Sequence, residues 1–312
     1  MATPSPDPRM DIYARPQRLV KLNRRRRLNV HITGEGSPTV ILSAGGGSTT
    51  LSWGLVQPQL SRNNHVLSFD RAGMGFSDPG PLPRTTSRAV ADLRAALEAT
   101  GTEPPYVLVG HSMGAFDVQL FAFQHPEEVI GMVLVDPRGH RIIERLGAVS
   151  RAFAALGPQE ARRFRGNARI ALRGPQAGGS EYESLAAPPS PMLTDAVNRA
   201  QREASLRPSF WRTISSEGDA LNGVAMDELV AARRPLDMPL IVLTAARSPF
   251  DVLCPDDAAA LSGVWKASHE ELARLSSRGK RRDVPGVGHA IQFERPDVVA
   301  DAIREVIGMS DG

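Results

Sequence analysis

The clearest chemical signal in the chain is a serine held between two structural elements. Residues 106–109 are an unbroken apolar run, Gly110-His111-Ser112-Met113-Gly114 follows, and a helical periodicity then continues to Pro126. Strand, Gly-x-Ser-x-Gly and helix in that order form a nucleophile-elbow context. So sharp a turn strains the serine backbone, and the small neighbours at 110 and 114 relieve crowding while Oγ projects from the strand end. The helix aims its first N–H groups at any negative oxygen developing beside the serine. Gly45-Gly46-Gly47, just past the apolar run 39–42, adds a loop whose backbone can approach a substrate oxygen closely. The N–H groups of Gly46 and Met113 are therefore the expected oxyanion hole. A phosphate loop is the rival reading of the glycines, but it would need a Gly-Lys-Ser/Thr signature that does not follow them.

A serine nucleophile needs a base, which comes late in the chain when the order is Ser, acid, His. Among the seven histidines, His289 alone lies in a late loop, Gly286-Val-Gly-His-Ala-Ile-Gln, whose glycines let the ring reach over the sheet edge. His111 adjoins the serine and, as its sequence neighbour, points elsewhere, which suits packing. The acid must accept a hydrogen bond from the imidazole, fixing its tautomer and steadying the imidazolium. Asp136 ends the apolar run 132–135, while Asp251, Asp256 and Asp257 follow the next sheet strand. Such a set would pass an acyl group to water through an acyl-enzyme.

These residues need a frame, and the rest of the chain supplies one. Short apolar runs at 39–42, 65–69, 106–109, 132–135 and 239–243 alternate with helical periodicities at 51–60, 89–97 and 113–125. Runs of that kind suit strands buried on both faces, and their alternation with helices implies βαβ units. An earlier pair of runs, 19–22 and 28–32, reads as a β-hairpin. Between Asp136 and Pro239 the alternation stops, and helical stretches near 159–173, 194–205 and 226–234 read as a cap. A helix at 255–277, a short segment at 281–285 and an amphipathic helix at 296–307 close the chain. The expected architecture is α/β: a mostly parallel central sheet flanked by helices, with an inserted helical cap. Its core would be 17–137 and 238–312, its cap 138–237, and the proline-rich stretch 1–16 a flexible arm.

Composition narrows the function classes. With 41% apolar residues and 28 Gly in 312, the chain can bury a sizeable core, which excludes wholesale disorder. Lys+Arg 37 against Asp+Glu 34 leaves +3, too balanced to point to nucleic acid. Arg24 to Arg27 reads as a solvated turn of the hairpin, since no aromatic residues interleave it. One cysteine, Cys254, cannot close an intrachain disulfide. No His/Cys cluster has ligand spacing, so no metal or organic cofactor is expected. With no signal-like start and no long apolar stretch, the expectation is a cytoplasmic protein acting on a small molecule, without nucleic acid or membrane.

Taken together the motifs resemble the α/β-hydrolase superfamily, in its cap-bearing serine esterase and lactonase-like branch. Beyond Gly110 to Gly114, Asp70-Arg71-Ala72-Gly73-Met74-Gly75-Phe76-Ser77 looks like the family's loop after the fourth strand. His289 followed by Glu294-Arg295-Pro296 looks like its terminal signature. The resemblance covers about residues 17 to 309 apart from the cap, with two departures. Ala44-Gly45 stands where His-Gly is common, so Gly46 is assigned by position. A compact Gly-x-x-Asp after the seventh strand is replaced by the longer Thr244-Ala-Ala-Arg-Ser-Pro-Phe-Asp251. Some members carry the acid after the sixth strand, where this chain has Leu134-Val135-Asp136-Pro137, which puts Asp136 first and Asp251 as its alternative.

What the resemblance implies is a serine hydrolase cleaving a small to medium, mainly apolar ester, lactone or related acyl substrate. Serine at the elbow argues against epoxide-hydrolase or haloalkane-dehalogenase chemistry, which in this superfamily uses a carboxylate to form an alkyl ester. Gly45, Trp53, His111, Phe153 and Trp211 are the candidates for substrate contact, with packing the alternative role of His111 and the aromatic residues. Other readings of the same frame are an amidase or peptidase, with Glu181, Glu183 and Glu217 for a free amino terminus, and a C–C hydrolase or perhydrolase. A catalytically weak ligand-binding protein is the remaining one.

Overall fold

The structure is a computed structural model and describes residues 6–221, 223–248 and 250–310. Among these the strands are β1 (Arg18–Lys21), β2 (Arg27–Thr33), β3 (Thr39–Ser43), β4 (Val66–Phe69), β5 (Tyr106–His111), β6 (Val129–Val135), β7 (Leu240–Ala245) and β8 (Gly279–Val284). They form one sheet in the order β1-β2-β4-β3-β5-β6-β7-β8. β1 and β2 pair as the expected antiparallel hairpin, with Val20 opposite Leu28, and β2 runs antiparallel to β4. From β4 across to β8 every pairing is parallel.

Alternation along the strands sorts the core into two layers. Ile41, Leu67, Leu108, Leu134 and Val242 face one side; Val40, Leu42, Val107, Val109, Val133 and Leu243 face the other. Both sets are fully buried, which is why these strands read as continuous apolar runs. Before the cap lie the helices α1 (Gln57–Leu60), α2 (Thr86–Thr100) and α3 (Gly114–Gln124). α2 begins where the Thr85 side chain accepts the Arg88 N–H and ends at Gly101 in the left-handed region, the start and stop signals visible in the sequence. The outermost strand, β8, is half exposed and rich in Lys and Arg, which suits an edge that must not pair with a second sheet.

Between β6 and β7 the described residues form five helices: α4 (Ile142–Val149), α5 (Arg151–Glu183), α6 (Asp195–Leu206), α7 (Pro208–Leu221) and α8 (Val224–Ala232). α5 is interrupted at Gly174 and Gly179, whose backbones leave helical geometry. The sequence pattern did not resolve α4 or α7, because α4 is short and α7 mixes Ser215, Ser216 and Gly218 into its turns. α8 departs from a simple lid. It packs on α2 and α3 and adds Ala225, Met226 and Leu229 to the core layer beneath them. α9 (Phe250–Leu253), α10 (Ala258–Ala273), α11 (Ile291–Glu294) and α12 (Pro296–Ser310) complete the chain, with α12 covering the sheet through Val299, Ile303 and Val306.

The expectation of a flexible arm at 1–16 is corrected over its described part. Asp7 caps a 3-10 helix, Pro8–Ala14, and Met10 and Tyr13 are buried against Leu51 and, from α6, Val197. The Thr194 hydroxyl donates to the Asp11 carboxylate. This stretch therefore straps the cap to the core, while residues 1–5 lie outside the described residues. At the hairpin turn Arg26 pairs with Asp92 and Arg27 with Asp78. Among the described residues no helix is long and apolar enough to cross a membrane.

Candidate active site

β5 delivers Ser112 into a backbone conformation that side-chain-bearing residues rarely adopt, with φ at 50°. Three hydrogen bonds hold it there. Its N–H donates to Val135 O at 3.1 Å, and its carbonyl accepts from Arg138 N at 3.0 Å and Ala115 N at 3.2 Å. Gly114 is required by contact: a Cβ there would lie 2.4 Å from Ser43 O and 2.6 Å from Ala44 O, so the start of α3 can press against the end of β3 only without a side chain. That contact sets the loop after β3 beside the serine. A Cβ on Gly45 would lie 3.4 Å from the Ser112 Cβ, and one on Gly46 would lie 3.6 Å from Met113 Sδ. Gly46 is exposed. Among the described residues neither the Gly46 N–H nor the Met113 N–H has a hydrogen-bond partner.

Asp136 stands at the end of β6, also at positive φ (40°) and 1% exposed. Its Oδ2 is 2.6 Å from His289 Nδ1, and its Oδ1 accepts from Ala245 N at 2.9 Å and, at 3.5 Å, from Trp265 Nε1. Burial pushes the Asp136 carboxyl up. The hydrogen bond from His289, the charges of His289 and His269, and the Ala245 N–H outweigh it and hold the group below the ordinary aspartate range. The structure thus brings Asp136, and not Asp251, to the histidine. Asp251 is exposed on α9.

The loop carrying His289 is pinned from three sides. Glu294 accepts the Gly288 N–H at 3.0 Å and pairs with Arg247, whose own N–H reaches Val287 O at 2.9 Å. From the elbow, His111 Nε2 donates to the His289 carbonyl at 3.0 Å, and His111 Nδ1 accepts from Gln292 at 3.2 Å. Burial, with His289 close by, pushes His111 down to about 3, so it stays neutral and keeps the tautomer that both contacts need. The residue next to the serine is therefore a clamp on the backbone of the histidine loop. Its signal in sequence was only adjacency.

The other expected contact residues sort differently. Trp53 is corrected: it is wholly buried in the layer with Val56 and Leu60, because an indole at the end of the 3-10 helix Thr50–Trp53 after β3 is large enough to fill the space beneath it. Phe153 packs edge-on against Phe250, 5.7 Å between centroids. Trp211 packs on Phe210 and Phe164 and donates Nε1 to Ser205 O at 2.7 Å, which joins α6 to α7. These two contacts are those of cap glue. Sequence reasoning missed Trp265 on α10, whose ring lies 6.2 Å from that of His289 as well as against Asp136. Among the described residues one group has ligand atoms close enough for a metal, His125, Glu127 and Glu128, at the far end of α3 from the serine.

His140, in the turn entering the cap, offers a stability prediction. Its Nε2 donates to Gln119 Oε1 at 2.9 Å, and burial, then Arg233, pushes it down to about 4, against 6.5 when free, with Glu271 opposing. Because the folded value is the lower, the unfolded chain binds the extra proton between these values, and the stability from neutral His140 is lost as pH falls from 6.5 toward 4. His140→Gln removes that loss. Urea unfolding is expected to show the wild-type advantage over this variant shrinking by about 2 kcal/mol between pH 7 and pH 5. A constant gap would show that His140 is not held neutral.

The sequence model of the alpha/beta hydrolase family matches residues 40–302. The uncharacterized protein YqjL of Bacillus subtilis is 34% identical over 107 residues, which is 34% of this chain and 42% of YqjL, so the match spans less than half of that relative. A protein of Klebsiella pneumoniae (strain 342), provisionally named the carbamate hydrolase RutD, is 26% identical over 84% of this chain and 88% of its own length. In fold, a Pseudomonas aeruginosa chain provisionally described as an epoxide hydrolase, solved as a t131d mutant, superposes with a TM-score of 0.69 at 21% identity, covering 94% of this chain and 96% of that one. With the family's sequence model matched from β3 into α12, the chain belongs to the alpha/beta hydrolase family.

Proposed function

We propose that the protein is a serine hydrolase that cleaves a small to medium, mainly apolar ester, lactone or related acyl substrate through an acyl-enzyme. The observation that carries the proposal is the placement, beyond the ends of the parallel strands, of Ser112 at a positive-φ strand-to-helix turn, its neighbour His111 bonded to the His289 carbonyl, and a buried Asp136 2.6 Å from His289 Nδ1. In this reading His289 takes the Ser112 proton as Oγ attacks the carbonyl carbon. Asp136 holds the imidazole with Nδ1 protonated and steadies the imidazolium. The N–H groups of Gly46 and Met113 receive the oxyanion, each such donor being worth about 10²–10³ in kcat. His289 then gives its proton to the leaving group, and water, activated by the same imidazole, releases the acid and restores Ser112.

Of the acidic cap residues that a peptidase would use, Glu217 is engaged by Arg71 and Glu183 by Arg202, while Glu181 is exposed and in no ion pair among the described residues, so an aryl amide belongs in the test beside the esters. The name RutD makes a carbamate a worthwhile member of the substrate panel. Fluorophosphonate labelling followed by intact mass tests the proposal. One adduct is expected on the wild type and none on Ser112→Ala, and a series of aryl esters of rising acyl length then sizes the pocket. A folded wild type that stays unmodified overturns the reading in favour of a binding protein.

A further inference from the structure

The glycine loop and the cap meet at one buried guanidinium. Arg71, in the loop after β4, is 3% exposed. Its Nη1 donates to Ala44 O, its Nη2 to Gly45 O at 2.7 Å, and its Nε to Glu217 Oε1 on α7 at 2.9 Å. Asp117 of α3 lies 3.8 Å from Nη1 and accepts from the Ser43 hydroxyl at 2.8 Å. In a trans peptide the C=O and the next N–H point in opposite directions. Drawing the Ala44 and Gly45 carbonyls back onto Arg71 therefore turns the N–H groups of Gly45 and Gly46 away from it.

We infer that Arg71 is a positioning residue that sets the direction of the Gly46 N–H, and that Glu217 makes this setting depend on the seating of the cap. The inference rests on the serine hydrolase reading above. The planar fork of arginine satisfies two carbonyls and a carboxylate at once, which the single ammonium of lysine cannot do with the same geometry. The arrangement is poor economy for stability alone. Glu217 keeps its second carboxylate oxygen buried without a partner, and well-packed apolar residues of similar volume often replace buried ion pairs without loss. Apolar filler could not turn two carbonyls. Three elements contribute to one contact set: the loop after β4 gives the cation, α3 gives Asp117, and α7 gives Glu217, the one cap residue among its polar partners in the described residues.

The test compares wild type with Arg71→Lys, each titrated for active sites with the fluorophosphonate and assayed on an aryl ester. The expected result is a kcat per labelled site lower by about 100-fold, the scale of one lost oxyanion donor, with KM within about threefold. The affinity for a trifluoromethyl ketone, whose adduct is tetrahedral and anionic, falls by the same factor as kcat/KM. Glu217→Ala, which removes the acceptor for Nε, is expected to lower kcat per labelled site by about 10-fold, the scale of one hydrogen bond to a charged group, and an unchanged value overturns the dependence on the cap. Should Arg71→Lys not fold, Arg71→Met combined with Glu217→Gln removes both charges and is read in the same way. Unchanged kcat per labelled site and unchanged ketone affinity overturn the inference, as does a loss of activity that only tracks loss of folded protein. A wild type that takes no label instead overturns the serine hydrolase reading, so the two failures are distinguishable.

Discussion

Asp136→Asn is expected to lower kcat on an aryl ester by about 10⁴-fold while the protein stays folded. The size of the effect follows from which oxygen is already committed. Asp136 Oδ1 accepts the Ala245 N–H at 2.9 Å, so in the variant the amide oxygen is held there and the amide nitrogen must face His289 Nδ1. A donor in that place forces Nδ1 to accept. The ring proton then moves to Nε2, and the atom that should take the serine proton is occupied. Asp251→Asn, on the exposed face of α9, is expected to stay within about twofold of wild type, the usual scale for a surface change away from the site. Steady-state kinetics with far-UV circular dichroism checks both. If Asp251→Asn shows the large loss and Asp136→Asn keeps activity within tenfold, the acid has been assigned wrongly.

That pair of variants also marks where the sequence stopped being legible. The serine and the histidine could be read because their contexts are local: a strand, a turn and a helix within a dozen residues, and a glycine-flanked loop late in the chain. The choice of acid rests on the family resemblance alone, which puts Asp136 ahead of Asp251. Asp136 and His289 are separated by 153 positions, and only the register of β6 beside β7 brings Asp136 under the Ala245 N–H. The parallel sheet was legible because strands buried on both faces must be apolar at every position. The N-terminal helix was not, since Asp7 and Pro8 are as much a loop signal as a helix start. Its burial depends on two side chains, Met10 and Tyr13, a single turn apart and too few to register as a repeat. Arg71 belongs to a motif of the sequence, yet two of its partners are backbone carbonyls, and no side-chain pattern records which way a carbonyl points.

Replacing the serine is expected to abolish turnover and at the same time to reveal the strain of its position. Ser112→Gly and Ser112→Ala should each lower kcat by about 10⁶-fold, the scale at which a serine nucleophile is lost. Their stabilities should differ in the unusual direction. At an ordinary site alanine is the more stable by roughly 0.4–1 kcal/mol, because glycine leaves more freedom in the unfolded chain. At φ 50° a Cβ costs about 1–2 kcal/mol, which alanine keeps and glycine removes. The balance favours Ser112→Gly over Ser112→Ala by about 0.5–1 kcal/mol, or about 1 °C in Tm for a chain of this size. Calorimetry on the two variants measures it directly. A more stable alanine variant would mean that the turn relaxes in solution, and that the contacts to Val135, Arg138 and Ala115 do not hold the backbone where Oγ must project. A more stable glycine variant would mean that the fold sustains a conformation it could relieve by losing one side chain, and that side chain is the proposed nucleophile.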